Sequence, residues 1–268
     1  MKIEAVVLDW AGTAVDFGCF APVNVFLNIF ENAGVSVTLE EARKPMGMLK
    51  IDHIRTMLEM PRISEAWEQV HGHDFTEEDI QTLYNEFETQ LMASLATYTD
   101  PIPHVIDTLG GLRAAGISIG STTGYTASMM AVVTENAEMK GYKPDFLVTP
   151  DQVENKGRPY PYMIFRNMEA LSVKSTKQVV KVGDTTSDIQ EALNAGVWAV
   201  GVIIGSSEMG LSEQQYMALS EQEQQQAIEQ TREVFEKIGA QYTIQTMAEL
   251  PMLIEAINER INKELVLS

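Results

Sequence analysis

Val179-Val180-Lys181-Val182-Gly183-Asp184-Thr185-Thr186-Ser187-Asp188 decides the fold. A short run rich in β-branched residues ends at a glycine. Helical spacing follows from Ser187 to Ala195, so the stretch reads as a buried strand, a turn and a helix. The same grammar recurs around it. Ile117-Ser118-Ile119-Gly120-Ser121 is a strand followed by a helix over Ala127 to Lys140, and Phe146-Leu147-Val148-Thr149 is a strand followed by a helix over Pro161 to Leu171. Trp198 to Ile204 is a further strand, a helix over Val105 to Ala115 leads in, and Ile3 to Leu8 has the same buried-strand character. This alternation predicts an α/β fold, a doubly wound, Rossmann-like parallel sheet with helices on both faces.

Residues 19–98 break the alternation, with no convincing strand among them. Pro22 to Ala33 has helical spacing and ends at Gly34, Thr38 and Thr76 stand where helix caps belong, and Met48 to Met60 is helical until Pro61 ends it. The expected organisation is therefore a core made of 1–18 and 99–268, with 19–98 inserted after the first strand as a helical cap. Such a cap covers the carboxyl ends of the strands, where open α/β sheets bind ligands. The segment from Leu211 to Gly239, rich in Glu and Gln, reads as one solvated amphipathic helix.

The 268 residues are 45% hydrophobic and 21% charged, enough to bury a sizeable core and too apolar for general disorder. Lys and Arg number 19 against 38 Asp and Glu, a net charge of −19 that disfavours nucleic acid as a partner. The single cysteine, Cys19, excludes a disulfide frame and a Cys-cluster metal site. Asp9 stops the N-terminal apolar run far short of a membrane span, so a cytoplasmic protein is expected.

Four strand ends deliver polar groups: Asp9-Trp10-Ala11-Gly12-Thr13, Ser121-Thr122-Thr123-Gly124-Tyr125, the loop with Lys156-Gly157-Arg158-Pro159, and Gly183-Asp184 through Asp188. In this order they resemble the haloacid dehalogenase superfamily. The resemblance implies that Asp9 attacks phosphorus, Thr123 and Gly124 hold phosphoryl oxygens, Arg158 neutralises charge and Asp188 supports the site through water. It also implies Mg²⁺ on Asp9, the Ala11 carbonyl and Asp184. The physical logic agrees, since a carboxylate cannot approach a phosphoryl dianion without cations. An oxygen-only donor set favours a hard cation. Lys156 stands close enough in sequence to compete with Arg158. Arg158 is preferred because Pro159-Tyr160-Pro161 follows it and a guanidinium chelates bidentately.

Superfamily members that cleave phosphate esters carry an acid two residues after the nucleophile, to protonate the departing oxygen. Here that residue is Ala11. A carbon leaving group needs no such acid if its electrons have a sink. Met46-Gly47-Met48-Leu49-Lys50-Ile51-Asp52-His53 offers one, because a lysine amine condenses with an aldehyde to an iminium. A lysine of ordinary pKa, about 10.4, needs an apolar lining such as Met46 and Met48 to be neutral. On these residues, and on Arg43-Lys44-Pro45-Met46-Gly47 and Gly205-Ser206-Ser207-Glu208, the resemblance narrows to the phosphonoacetaldehyde hydrolase family. It implies a small phosphonate substrate, a Schiff base on Lys50, Met46 and Tyr125 in the pocket, a supporting His53, and a homodimer. An apolar face on the Pro22–Ala33 helix is the candidate dimer surface. The alternative is a Mg²⁺-dependent phosphatase or phosphomutase, which Ala11 disfavours.

Overall fold

Ala5-Val6-Val7-Leu8, all buried, form strand β1 (Ala5–Leu8) at the middle of the sheet in a computed structural model that describes residues 1–267. Five helices follow: α1 (Phe20–Asn32), α2 (Leu39–Arg43), α3 (Lys50–Leu58), α4 (Pro61–His71) and α5 (Glu77–Ser94). Then come α6 (Val105–Ala114), β2 (Ser118–Thr122), α7 (Ala127–Met139), β3 (Phe146–Val148), α8 (Tyr162–Ala170), β4 (Val179–Gly183), α9 (Thr186–Ala195) and β5 (Trp198–Val202). The chain closes with α10 (Glu213–Ala218), α11 (Glu221–Ile238), β6 (Tyr242–Ile244) and α12 (Leu250–Leu267).

All strands are parallel, in the order β3-β2-β1-β4-β5-β6. The chain steps outward from β1 to β3, returns to β4, and steps outward the other way. β1 and β4 therefore flank the reversal, where the crevice of an open α/β sheet lies. Leu8 pairs with Ser121 on one side and Val182 on the other. That register brings Asp9, Thr122 and Gly183 out of the sheet at one level.

An aromatic stack joins three of the helices between β1 and α6. The Phe26 ring lies 4.4 Å from Phe87 of α5 and 3.9 Å from His53 of α3, and all three are fully buried. Capping boxes at Thr38 with Glu41 and at Thr76 with Asp79 set the starts of α2 and α5. Pro61 does more than end a helix: it is the first residue of α4, where its missing N–H costs nothing and its φ is already helical.

Two sequence expectations change. The segment 211–239 is two helices, because Ser212 with Gln215 and Ser220 with Glu223 each form a capping box and restart the helix. The apolar face of α1 is no dimer surface. Ala21, Pro22, Val25, Phe26, Ile29 and Phe30 are already buried within the chain, and Asn24, Asn28, Glu31 and Asn32 are what it exposes. Beyond residue 239 the structure adds β6 as an edge strand and α12, which buries Leu250, Ile254, Ile257 and Ile261 at helical spacing. No helix among the described residues is long and apolar enough to cross a membrane.

Removing the Phe87 ring leaves a cavity between α1 and α5. Phe87→Ala is expected to lower the unfolding free energy by about 3–5 kcal/mol, read as a lower urea midpoint at unchanged slope.

Candidate active site

Asp9 follows β1 directly, and its N–H donates to the Val182 carbonyl at 3.0 Å. Asp184 follows β4 directly, so two carboxylates leave adjacent strands at the reversal point. Gly12 turns the chain back beneath them with φ +89°, and a Cβ there would lie 2.0 Å from Asp184 Oδ2. Only glycine fits both demands. The Thr13 hydroxyl donates to Asp184 Oδ1 at 3.1 Å and the Ser207 N–H to Oδ2 at 2.8 Å.

Arg158 is the cation of the site. Its guanidinium is buried and donates through Nη2 to Asp9 Oδ1 at 2.5 Å and to Thr122 Oγ1 at 2.8 Å. Asp188 lies 3.1 Å away, and Nε donates to Glu191 Oε2 at 3.0 Å. Lys181, fully buried in β4, meets the same partners: Thr122 Oγ1 at 2.9 Å, Asp188 Oδ1 at 2.9 Å and Glu191 Oε2 at 3.5 Å. Burial pushes the Asp188 carboxyl up, but Arg158 and Lys181 outweigh it and hold the group below its ordinary value. Lys156 is exposed and paired with Glu154 at 2.8 Å, so the choice between the two loop cations falls on Arg158.

Lys50 arrives from the helical side. Gly47 takes φ +87°, and a Cβ there would lie 2.4 Å from Thr185 Oγ1, so the 46–48 turn rests directly on the β4–α9 loop. The Ser187 hydroxyl donates to the Met46 carbonyl at 3.0 Å. α3 begins at Lys50 just beyond this turn. Its Nζ lies 3.8 Å from Met46 Sδ, 5.3 Å from the Tyr125 ring centroid and 5.9 Å from that of Phe26. No carboxylate among the described residues pairs with it. Burial lowers its pKa, Cys19 and Asp9 oppose this, and Arg158 adds to the lowering. The apolar wall differs from expectation, because Met48 is outside the cavity and the Tyr125 ring lines it with Met46, while Phe26 lies beside Lys50.

One cavity of about 20 Å³, room for a water-sized molecule, brings together Asp9, Ala11, Met46, Lys50, Thr123, Gly124, Tyr125 and Arg158. Thr123 Oγ1 accepts the Tyr125 N–H at 3.1 Å, which fixes the turn after β2. Three expected site residues, His53, Asp184 and Asp188, do not line it. His53 is packed on Phe26 with Nε2 donating to the Ala42 carbonyl at 2.9 Å, and burial, with Lys50 nearby, pushes its pKa well down. Asp188 stands behind Arg158, its Oδ2 accepting from Thr185 Oγ1 at 2.6 Å and its Oδ1 facing the two cations. Asp188 thus holds Arg158 directly.

Cys19, near the site in sequence and given no chemistry there, lines the cavity. Lys181 and Glu191 were missed. A lysine inside an apolar strand, and a glutamate one helical turn after Asp188, were the available signals.

Asp9, Asp184 and Asp188 each offer an oxygen within 4.8 Å of the others. Arg158 and Lys181 pair with the buried carboxylates Asp9, Asp188 and Glu191, and among the described residues no cation pairs with Asp184, which leaves a negative excess matching one divalent ion. Burial and the neighbouring Asp9 and Asp188 push the Asp184 carboxyl well above its ordinary value. A hard cation relieves that repulsion, and the oxygen-only donor set fits one.

The sequence pattern of the Haloacid dehalogenase-like hydrolases matches residues 21–202. A phosphonoacetaldehyde hydrolase of Lysinibacillus sphaericus (strain C3-41) is 75% identical over 264 residues, 98% of either chain. This chain belongs to the phosphonoacetaldehyde hydrolase family. Another member, from Bacillus cereus (strain AH820), is 53% identical over the full length of both chains. The crystal structure of a phosphonoacetaldehyde hydrolase-like protein from Oleispira antarctica superposes with a TM-score of 0.95 at 38% identity, covering 98% of this chain and 95% of that one. The family resemblance seen in the sequence and the α/β fold both hold.

A lysine is nucleophilic only as the free amine, so a lowered pKa moves its reactivity to lower pH. Acylation across a pH series with peptide mapping will give Lys50 a midpoint below the ordinary value of about 10.4. Exposed Lys156, whose pKa is raised by its hydrogen bond to Glu154, will titrate later.

Proposed function

We propose that this chain hydrolyses the carbon–phosphorus bond of phosphonoacetaldehyde to acetaldehyde and phosphate. The observation that carries the reading is a buried lysine amine and a carboxylate–arginine pair facing one cavity. Lys50, as the free amine, adds to the aldehyde carbon and loses water, forming an iminium. Asp9 then bonds to phosphorus while the C–P electron pair moves into the iminium, leaving an enamine and an aspartyl phosphate. Protonation of the enamine carbon and attack by water release acetaldehyde and restore the Lys50 amine. A second water attacks the aspartyl phosphate and releases phosphate. One water is lost at the imine and two are consumed, so the net reaction takes up one.

Each neighbour has a role in this scheme. Arg158 and the Thr123–Gly124 turn receive the phosphoryl oxygens. Met46, Tyr125 and Phe26 keep water from Lys50. His53 holds the 42–53 segment through the Ala42 carbonyl. Asp9, the Ala11 carbonyl and Asp184 would hold Mg²⁺, which would neutralise phosphoryl charge. Ala11 costs nothing here, because the leaving atom is carbon and no alkoxide needs a proton. This argues against the phosphatase or phosphomutase alternative.

The proposal includes the domain division. Residues 19–98 act as a cap carrying Lys50, and 1–18 with 99–268 act as the core carrying Asp9. The small cavity requires the 46–50 segment to move for substrate to enter. A homodimer and a cytoplasmic location complete the reading. The one free, buried cysteine suits a reducing compartment.

Borohydride added with phosphonoacetaldehyde is expected to leave a reduced adduct on Lys50, found by peptide mass mapping. Lys50→Arg should lose both the adduct and phosphate release. Turnover that survives Lys50→Arg would exclude the imine route. Arg158→Ala should abolish phosphate release while Lys156→Ala leaves it unchanged, measured by a phosphate assay.

A further inference from the structure

Two sequence motifs have no part in the scheme above: Arg43 at the end of α2, and Gly205-Ser206-Ser207-Glu208 after β5. The structure joins them. Arg43 Nη1 donates to the Ser207 carbonyl at 3.4 Å and to Ser207 Oγ at 3.3 Å. The same nitrogen donates to the Gly18 carbonyl at 2.7 Å, and the Gly18 N–H donates to the Gly205 carbonyl at 2.7 Å. The guanidinium lies 4.7 Å over the Phe20 ring. A Cβ on Gly210 would lie 3.3 Å from Arg43 Nε, so the 205–210 loop wraps closely around the side chain.

The loop has a second end. Its Ser207 N–H is the donor that holds Asp184 Oδ2, and Glu208 Oε1 accepts the Thr186 N–H at 3.1 Å at the start of α9. One arginine from the helical segment therefore holds Ser207, the residue whose N–H orients Asp184. Mutating the partners that orient a metal-binding carboxylate typically costs about 10–100-fold in metal affinity or activity.

We propose that Arg43 is a positioning residue for Asp184, acting through Ser207 and coupling the seating of the helical segment to the strength of divalent-cation binding. The flat guanidinium matters, because Nη1 reaches the Gly18 and Ser207 carbonyls while the group stays stacked on Phe20. An ammonium group keeps donors but lacks the flat face. The inference deepens the hydrolase reading and rests on it for the identity of the cation.

The test is Mg²⁺ titration calorimetry on the full chain, without substrate, for the wild type, Arg43→Lys and Arg43→Met. Arg43→Met is expected to weaken Mg²⁺ binding about tenfold, with Arg43→Lys in between. Both variants should keep the borohydride adduct on Lys50, which separates a loosened Asp184 from a general loss of the site. If Arg43→Met does not melt cooperatively, Arg43→Lys decides on the same readout. Mg²⁺ affinity equal to wild type in the folded variants overturns the proposal, and so does a wild-type chain that binds no Mg²⁺. Failure of the hydrolase reading would register separately, as a wild type that binds Mg²⁺ but gives no acetaldehyde and no Lys50 adduct.

Discussion

The ion pair between Arg158 and Asp9 is the constraint on which the site depends. Both groups are buried, and each would be costly to bury alone. The arginine cannot simply neutralise Asp9, because it is also held by Asp188, Glu191 and Thr122. Lys181 shares those same acceptors from inside β4. The result is a cation of fixed position with one edge turned toward Asp9. A charge so placed needs no reorganisation when a phosphoryl group replaces part of its contact, which is the condition for electrostatic catalysis.

The lysine follows the opposite physical rule. Arg158 is surrounded by carboxylates and stays charged. Lys50 is surrounded by a thioether and two aromatic rings and is pushed toward the neutral amine. Two basic residues lining one small cavity are thus shifted in opposite directions by what packs against them. The 46–48 turn makes this possible, since it lies against the β4–α9 loop closely enough to bring an apolar wall to the polar end of the sheet.

Much of this was legible in the sequence. The strand–helix alternation has a period that only a parallel α/β sheet satisfies, and the polar residues fall where strands end, so Asp9, Thr123, Arg158 and Asp184 could be named from position. The absence of an acid at Ala11 and a lysine after a Pro-Gly break pointed to carbon as the leaving atom. The elements that were missed carry weak local signals. Tyr242–Ile244 is a short edge strand, and Pro61 reads as a helix end as readily as a helix start.

The sequence by itself determined which residues stand at strand ends, because periodicity and turn chemistry are local properties. Only the tertiary structure decided which of them meet. It turned Lys156 to Glu154 at the surface and Arg158 to Asp9, set Asp188 against the two cations, and buried the apolar face of α1 within the chain. The physical reason is that desolvation and ion pairing depend on what surrounds a side chain from distant parts of the chain. Arg43, Ser207 and Asp184 are far apart in sequence, and no spacing rule links them; only the folded loop brings them into one line.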